Sequence, residues 1–147
     1  MKKVILSLMC LISLSSISAL AVDKYGYVNF KQVMSSYNQA KKVQNTLKSK
    51  EDTMQKFIAE NQAAISKASS PEEKKRLEEK AGTQIQKMIS DIRAYSAKEI
   101  KTVEDNLEKA IQSVGKKHNY TLIFSDGSVF YGAEDITNLV IDELNKK

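Results

Sequence analysis

The 147-residue sequence has one cysteine, one proline and five glycines, so it is poor in residues that crosslink a chain or interrupt its secondary structure. It also has no tryptophan. The cysteine, Cys10, lies in an N-terminal segment that we expect to be removed, which would leave no thiol for a disulfide or a cysteine-based metal site. Apolar residues are thinly spread over the rest of the chain, which argues against a thick globular core. Extended helices with a narrow apolar stripe use such a composition better.

The N-terminal residues have the three parts of a secretory signal peptide. A basic start at 1–3 precedes an apolar stretch at 4–20, which closes with the small-x-small sequence Ala19-Leu20-Ala21. We predict cleavage after Ala21 and export to the periplasm. A membrane anchor is the alternative interpretation, because about 17 apolar or small residues approach the lower limit for a spanning helix. The serines of the stretch and its Ala-x-Ala ending favour the signal peptide.

Residues 24–30 read KYGYVNF and favour a short β-strand because of their β-branched and aromatic content. Tyr25, Tyr27 and Asn29 alternate with Gly26, Val28 and Phe30. A short helix is predicted over 31–36.

Two long amphipathic helices are predicted next, over about 38–68 and 71–118. Each carries an apolar stripe only about one residue wide, with a period of about 3.7 residues per step, which is typical of a nearly straight helix pair. The first stripe consists of Val43, Leu47, Met54, Ile58 and Ile65, with Lys50 and Asn61 at two of its positions. The second consists of Leu77, Ala81, Ile85, Met88, Ile92, Ser96, Ile100, Val103, Leu107, Ile111 and Val114.

Pro71, the only proline, marks the start of the second helix. Proline is tolerated at the first helical position, and Ser70 with Glu73 forms a Ser-x-x-Glu capping box. A short connection between two long helices makes them antiparallel neighbours. The sequence therefore predicts a helical hairpin whose end lies near 69–71.

Two apolar runs, at 121–124 and 129–131, flank Asp126-Gly127, a residue pair that favours a tight β-hairpin turn. The continuous apolar run Leu122-Ile123-Phe124 indicates a strand covered on both faces. A closing helix follows, capped by Asp135 or Thr137.

These elements predict a mainly α fold with a small β body, from which a long antiparallel helical hairpin projects. We expect one domain over 22–147, with the body at 22–37 and 119–147 and the hairpin at about 38–118. No residue is predicted to be catalytic or to bind a metal or cofactor. His118 precedes Ser125 and Asp126 without the spacing of a nucleophile site.

Acidic pairs at 72–73 and 78–79 alternate with basic residues, as on a solvated helix face.

The order of parts resembles the Skp/OmpH family of periplasmic chaperones. The resemblance rests on YGYVNFKQVMSS near the start, the charged hairpin, AIQSVGKKHNYTLIFSDGSVFYG and the closing DITNLVIDELNK. It implies a homotrimer in which three hairpins project as tentacles from a trimerising body. Such proteins act as ATP-independent holdases that keep unfolded outer-membrane proteins soluble in the cavity between the tentacles, without ATP or a metal.

Three groups of candidate site residues follow from the sequence and the resemblance. For client binding we expect Phe57, Ile58, Met88 and Ile89 on the hairpin. For contact with an anionic membrane surface or lipopolysaccharide we expect Lys67, Lys74, Lys75 and Arg76, for which ordinary solubility is the alternative. For the core of the body and its trimer we expect Val28, Phe30, Leu122, Phe124, Val129 and Tyr131.

Two other functions remain open at this point. A pI of about 9.2 is compatible with a lipopolysaccharide- or nucleic-acid-binding protein, although export argues against nucleic acid. Without residues 1–21, the formal charge falls from +5 to +3, because two lysines leave with them. A structural coiled-coil protein of the envelope is the other alternative.

Overall fold

The computed structural model describes residues 23–146, so the predicted signal peptide lies outside the described residues. The chain order is β1 (Tyr25–Val28), α1 (Phe30–Ser36), α2 (Asn38–Ser66), α3 (Pro71–Lys117), β2 (Leu122–Ser125), a 3-10 turn (Asp126–Ser128), β3 (Glu134–Asp135) and α4 (Thr137–Asn145). The predicted class, mainly α with a small β body and long helices, is confirmed.

Helices α2 and α3 form the antiparallel hairpin, which we call the arm. With 29 and 47 residues they are roughly 44 and 70 Å long. The turn between them ends as the sequence predicts: Ser70 Oγ accepts from the Glu73 amide at 3.1 Å, and Glu73 Oε2 accepts from the Ser69 amide at 3.0 Å. Because α3 is much longer, its C-terminal part extends beyond the arm into the body.

The apolar stripes of α2 and α3 face each other along the arm. Most stripe side chains are half-buried. The buried ones are Val43 on α2 and Ala81, Val103, Leu107 and Val114 on α3. Ile100 was predicted in the stripe and is 46% exposed instead. Tyr95 packs against the core at this level, and its ring lies 5.2 Å from Lys50 Nζ. The buried stripe of α3 continues through Val103 and Leu107, and Ile100 lies outside it.

The sheet differs from the predicted β-hairpin. Its order is β2-β1-β3, and both neighbours of β1 are parallel to it. Asp126-Gly127 lies in the 3-10 turn, which the Val129 amide closes on the Asp126 carbonyl at 3.3 Å. Residues 129–131 form no strand. Among residues 23–146, the glycine with positive φ is Gly132, at 86°, and it lies in a bend shortly before β3.

The core of the body lies where β1, α1 and α4 pack on the C-terminal part of α3. Its most buried side chains are Val28, Val33, Val114, Ile136, Thr137 and Val140. Thr137 Oγ1 accepts from the Asn29 amide at 2.9 Å, and Asp135 Oδ1 accepts from the Thr137 amide at 2.9 Å. The N-cap of α4 is Ile136, so the predicted cap, Asp135 or Thr137, is wrong, although Asp135 still bonds to the first residue of the helix. This network joins the first and last elements of the described chain.

Candidate functional site

One face of the small sheet is apolar and uncovered. The register places Tyr25 beside Leu122 and Tyr27 beside Phe124, and the alternation of strand side chains puts all four on the same face. Leu122 is 53% exposed and Phe124 40% exposed. The rings of Tyr25 and Phe124 lie 6.5 Å apart between centroids. The prediction that β2 is covered on both faces is therefore wrong for the single chain.

Two aromatic side chains next to this face are fully exposed. Phe130 and Tyr131 follow the 3-10 turn and have relative exposures of 104% and 99%. Together with Tyr25, Leu122 and Phe124 they border an open groove of about 590 Å³. We call these five residues the outer sheet face. A contiguous apolar patch of this kind is typical of an interaction site.

The six residues predicted for the body and trimer core do not form one cluster within the chain. Val28 is buried in the body, whereas Val129 is half-buried. Phe30, Leu122, Phe124 and Tyr131 are exposed. These four residues lie on the surface of the single chain, so the prediction that they belong to its core is wrong. Their role in a trimer remains a prediction.

Three exposed apolar residues were not predicted from the sequence: Tyr25, Met34 and Phe130. Tyr25 was recognisable, because it shares a strand face with Tyr27 by simple alternation. Met34 lies one helical turn after Phe30 on α1 and could have been grouped with it. Phe130 gave no separate signal, since the predicted strand placed it opposite Tyr131.

The four residues predicted to bind clients lie in the middle of the arm. Phe57, Ile58, Met88 and Ile89 are all half-buried. The Phe57 carbonyl accepts from Asn61 Nδ2 at 2.7 Å, so the polar stripe residue Asn61 is satisfied within its own helix. Each of the four side chains is therefore partly accessible to solvent.

The basic residues predicted at the end of the arm are exposed and lie among acids. Lys67 caps the C-terminus of α2, and Lys74, Lys75 and Arg76 follow in the first turns of α3. Lys74 Nζ lies 4.0 Å from Glu78 Oε1, an exposed pair that contributes little to stability. The end of the arm therefore presents charges of both signs.

A polar cluster fastens α4 to α3 at the other end of the molecule. Glu143 Oε1 accepts from Lys117 Nζ at 2.6 Å and from Ser113 Oγ at 2.7 Å, and Glu143 Oε2 accepts from Lys146 Nζ at 3.1 Å. The hydrogen bonds from Lys117, Ser113 and Lys146 lower the pKa of Glu143 to about 2. The carboxylate is thus ionised at neutral pH and holds the two helices together.

Residues 23–146 were searched for a metal site and for a catalytic arrangement around His118 and Ser125. Between residues 23 and 146 no three His, Cys, Asp or Glu side chains are grouped as metal ligands would be. Ser125 Oγ pairs with Ser128 Oγ at 3.1 Å, and the His118 ring lies 6.4 Å from that of Tyr120. Over the same range, no helix combines the length and the apolar character that crossing a membrane requires.

The chain that folds into this long arm and small body matches the model of a known family. The model of the family described as outer membrane protein (OmpH-like) matches residues 24–144. The chain belongs to the OmpH-like family. The resemblance predicted from the sequence is confirmed, and a search of curated proteins finds no match.

Membership in the OmpH-like family supports a chaperone-type role toward outer membrane proteins. The family is generally non-enzymatic and is associated with the periplasm and the outer membrane, in agreement with the function predicted from the sequence.

Proposed function

We propose that the protein is an ATP-independent holdase of the periplasm, which works as a homotrimer and keeps unfolded outer-membrane β-barrel proteins soluble between its three arms. The observation that carries this proposal is the combination of an uncovered apolar sheet face with an arm too thin to enclose a core. The first feature requires a partner surface, and the second provides reach without a pocket.

The outer sheet face supports assembly with further copies of the chain. In the proposed assembly, Leu122 and Phe124 on the strand of one copy meet Phe130 and Tyr131 on the loop of the next copy, so each contact joins two different patches. Such heterologous contacts form closed rings when the rotation between copies closes. We take three copies from the family resemblance.

The arm supports weak and dispersed binding of an unfolded chain. Phe57, Ile58, Met88 and Ile89 are partly accessible, and methionine adapts its shape to varied partners. Many small contacts shield apolar segments of a client without the tight burial that would trap it. Release then needs no nucleotide, because each contact opens on its own.

A direct experiment dilutes a urea-denatured outer-membrane β-barrel into buffer with the purified protein and follows turbidity. We expect stoichiometric protein, counted as trimer, to suppress aggregation without added ATP. Bovine serum albumin at equal mass is the control for nonspecific adsorption. Aggregation that proceeds unchanged would rule out the holdase function.

The exposed basic residues at the end of the arm favour one additional activity, contact with an anionic surface. Lys67, Lys74, Lys75 and Arg76 would touch the headgroups of an anionic membrane or lipopolysaccharide. Replacement of all four by glutamine should abolish co-sedimentation with anionic vesicles at low salt and leave binding to neutral vesicles unchanged. If co-sedimentation survives this replacement, the four residues do not bind the anionic surface, and solubility is their only role.

A further inference from the structure

The exposed turn after β2 carries a residue pair that can react with itself. Asp126-Gly127 is the one place in the sequence where an aspartate or an asparagine precedes a glycine. The carboxyl group of an aspartate can react with the backbone nitrogen of the next residue. Glycine hinders this reaction least, because it has no side chain and leaves the backbone mobile. The sequence therefore has one preferred position for the isomerisation of aspartate to isoaspartate.

The fold leaves this position free to react. Asp126 and Gly127 are both exposed in the 3-10 turn, and a Cβ added at Gly127 would meet no atom within 4 Å. The amide of Val129 closes the turn at a long distance, 3.3 Å from the Asp126 carbonyl oxygen. Among residues 23–146, no ion pair holds the Asp126 carboxylate. Both reacting groups are thus accessible and weakly restrained.

The fold restrains the other aspartates of the described chain. Asp23 Oδ1 accepts from Thr121 Oγ1 at 3.2 Å, and Asp135 Oδ1 accepts from the Thr137 amide at 2.9 Å. A long or branched side chain follows each of these two aspartates. In a helix, the next backbone nitrogen is held by an intrahelical hydrogen bond. Four aspartates lie in helices: Asp52, Asp91, Asp105 and Asp142.

We propose that Asp126 is a site of spontaneous isomerisation to isoaspartate, and that this modification weakens the contact between copies of the chain. The modification itself depends only on the turn. Its effect on assembly rests on the proposed trimer and on the outer sheet face as its contact.

The reaction needs only water. The backbone nitrogen of Gly127 attacks Cγ of the protonated Asp126 carboxyl group, so an N–Cγ bond forms and a Cγ–O bond breaks. The hydroxyl group leaves as water with the proton of the nitrogen, and a succinimide ring remains. Water then attacks one of the two ring carbonyl carbons. Attack at Cγ restores aspartate, whereas attack at the main-chain carbonyl carbon breaks its bond to nitrogen and gives isoaspartate. One water leaves and one enters, so the mass of the chain is unchanged.

Isoaspartate alters the backbone at a sensitive place. Its main chain runs through Cβ and Cγ, which lengthens the turn by one methylene group and leaves the former main-chain carboxylate free. The turn connects Leu122 and Phe124 on β2 with Phe130 and Tyr131 on the following loop. The proposed contact joins the strand of one copy to the loop of the next. A changed spacing between strand and loop therefore weakens that contact, while the helices of the arm stay as they are.

Storage of the purified protein at neutral pH and warm temperature tests the modification. Samples taken at intervals are digested, isoaspartate is counted by methylation with an isoaspartate methyltransferase, and mass spectrometry locates it. We expect isoaspartate to accumulate several-fold faster at position 126 than at Asp23 or Asp135. An equal rate at the three positions would overturn the proposal.

Gly127→Ala is the variant that slows the ring closure. Gly127 has no positive φ and has room for a Cβ, so this variant should fold like the wild type. We expect its isoaspartate to accumulate several-fold more slowly. Gly82→Ala, at an exposed position of α3 with equal room, is the matched control and should age like the wild type. Undiminished isoaspartate in Gly127→Ala would overturn the role of this residue pair.

Size-exclusion chromatography of the stored wild type tests the effect on assembly. We expect the fractions of smaller size to be several-fold richer in isoaspartate at position 126 than the assembled fraction, with the helical content unchanged by circular dichroism. Equal isoaspartate in all fractions would overturn the effect on assembly and leave the trimer intact. A fresh, unmodified protein that elutes as a monomer would instead overturn the proposed trimer and, with it, the effect on assembly. The rate of isoaspartate formation does not depend on that outcome.

Discussion

At the scale of single residues, the body depends on polar side chains that bind across the whole chain. Thr137 is 1% exposed, and its hydroxyl accepts from the amide of Asn29, which is 108 positions earlier. Asn145 Nδ2 donates to the Ser36 carbonyl at 3.2 Å, and Asn145 Oδ1 accepts from the Asn38 amide at 3.0 Å. These bonds fix α4 against the junction of α1 and α2, which anchors the base of the arm.

Glu143 makes stability depend on acidity. Its pKa is lowered from 4.5 to about 2 in the folded chain, so the ionised form is favoured by folding. The stabilisation is complete above the unfolded pKa and is lost as the pH falls from about 4.5 towards about 2. We expect the free energy of unfolding to fall less between about pH 6 and about pH 3 in Glu143→Gln than in the wild type.

Urea unfolding at the two pH values measures this difference. Glu60→Gln, at an exposed position of α2, is the matched control. Its free energy of unfolding should fall with decreasing pH as much as that of the wild type. Identical pH dependence in Glu143→Gln and the wild type would contradict the role given to the Lys117, Ser113 and Lys146 contacts.

At the scale of elements, local chemistry defines the arm. Ser70 caps α3, and apart from Ala81 the buried residues of that helix begin at Val103, more than 30 positions later. Ser70→Ala should remove about 1 kcal/mol from the first turn of α3. We expect faster hydrogen exchange of the amides at 72–74 and unchanged exchange of the amides in the body.

Ser90→Ala, an exposed substitution in the middle of the same helix, is the control and should not accelerate exchange at 72–74. If Ser70→Ala also leaves these amides unchanged, the hydrogen bond from the Glu73 amide does not stabilise the turn.

Deletion of residues 59–65 together with 77–83 should shorten the arm by about two helical turns on each side and keep its stripes in phase. Because the buried core lies in the body, we expect the urea midpoint of the body to stay unchanged. The longest β-barrel that the protein keeps soluble should become shorter. An unfolded body in this variant would show that the arm and body form one cooperative unit.

The elements differ in how far they could be predicted. Capping residues and stripes act within a few positions, so Ser70, Pro71 and Glu73 were sufficient to place the turn of the arm. The sheet depends on partners far along the chain: β3 has only two residues, and Gly26 pairs with Glu134. Asp126-Gly127 favours a hairpin locally, but pairing of β1 with both β2 and β3 places the strands in parallel. Ile100 fits the spacing of the predicted stripe and yet is exposed, which the local pattern did not predict.

At the scale of the whole molecule, the outer sheet face is proposed to decide whether the chain assembles. Phe124→Lys places a charge in the middle of this face, which should be tolerated in the single chain because Phe124 is already exposed. We expect this variant to keep its helical content by circular dichroism and to sediment as a monomer. Lys31→Ala, at an exposed position of α1, should sediment like the wild type. A Phe124→Lys variant that assembles normally would exclude this face as the contact.

The most direct test of the trimeric holdase is the mass of its complex with a client. The protein is mixed with a urea-denatured β-barrel, the urea is diluted, and light scattering behind size-exclusion chromatography measures how many copies hold one client. We expect a complex of three copies with one unfolded barrel and no requirement for ATP. A barrel bound by a single copy, or no complex at all, would contradict it.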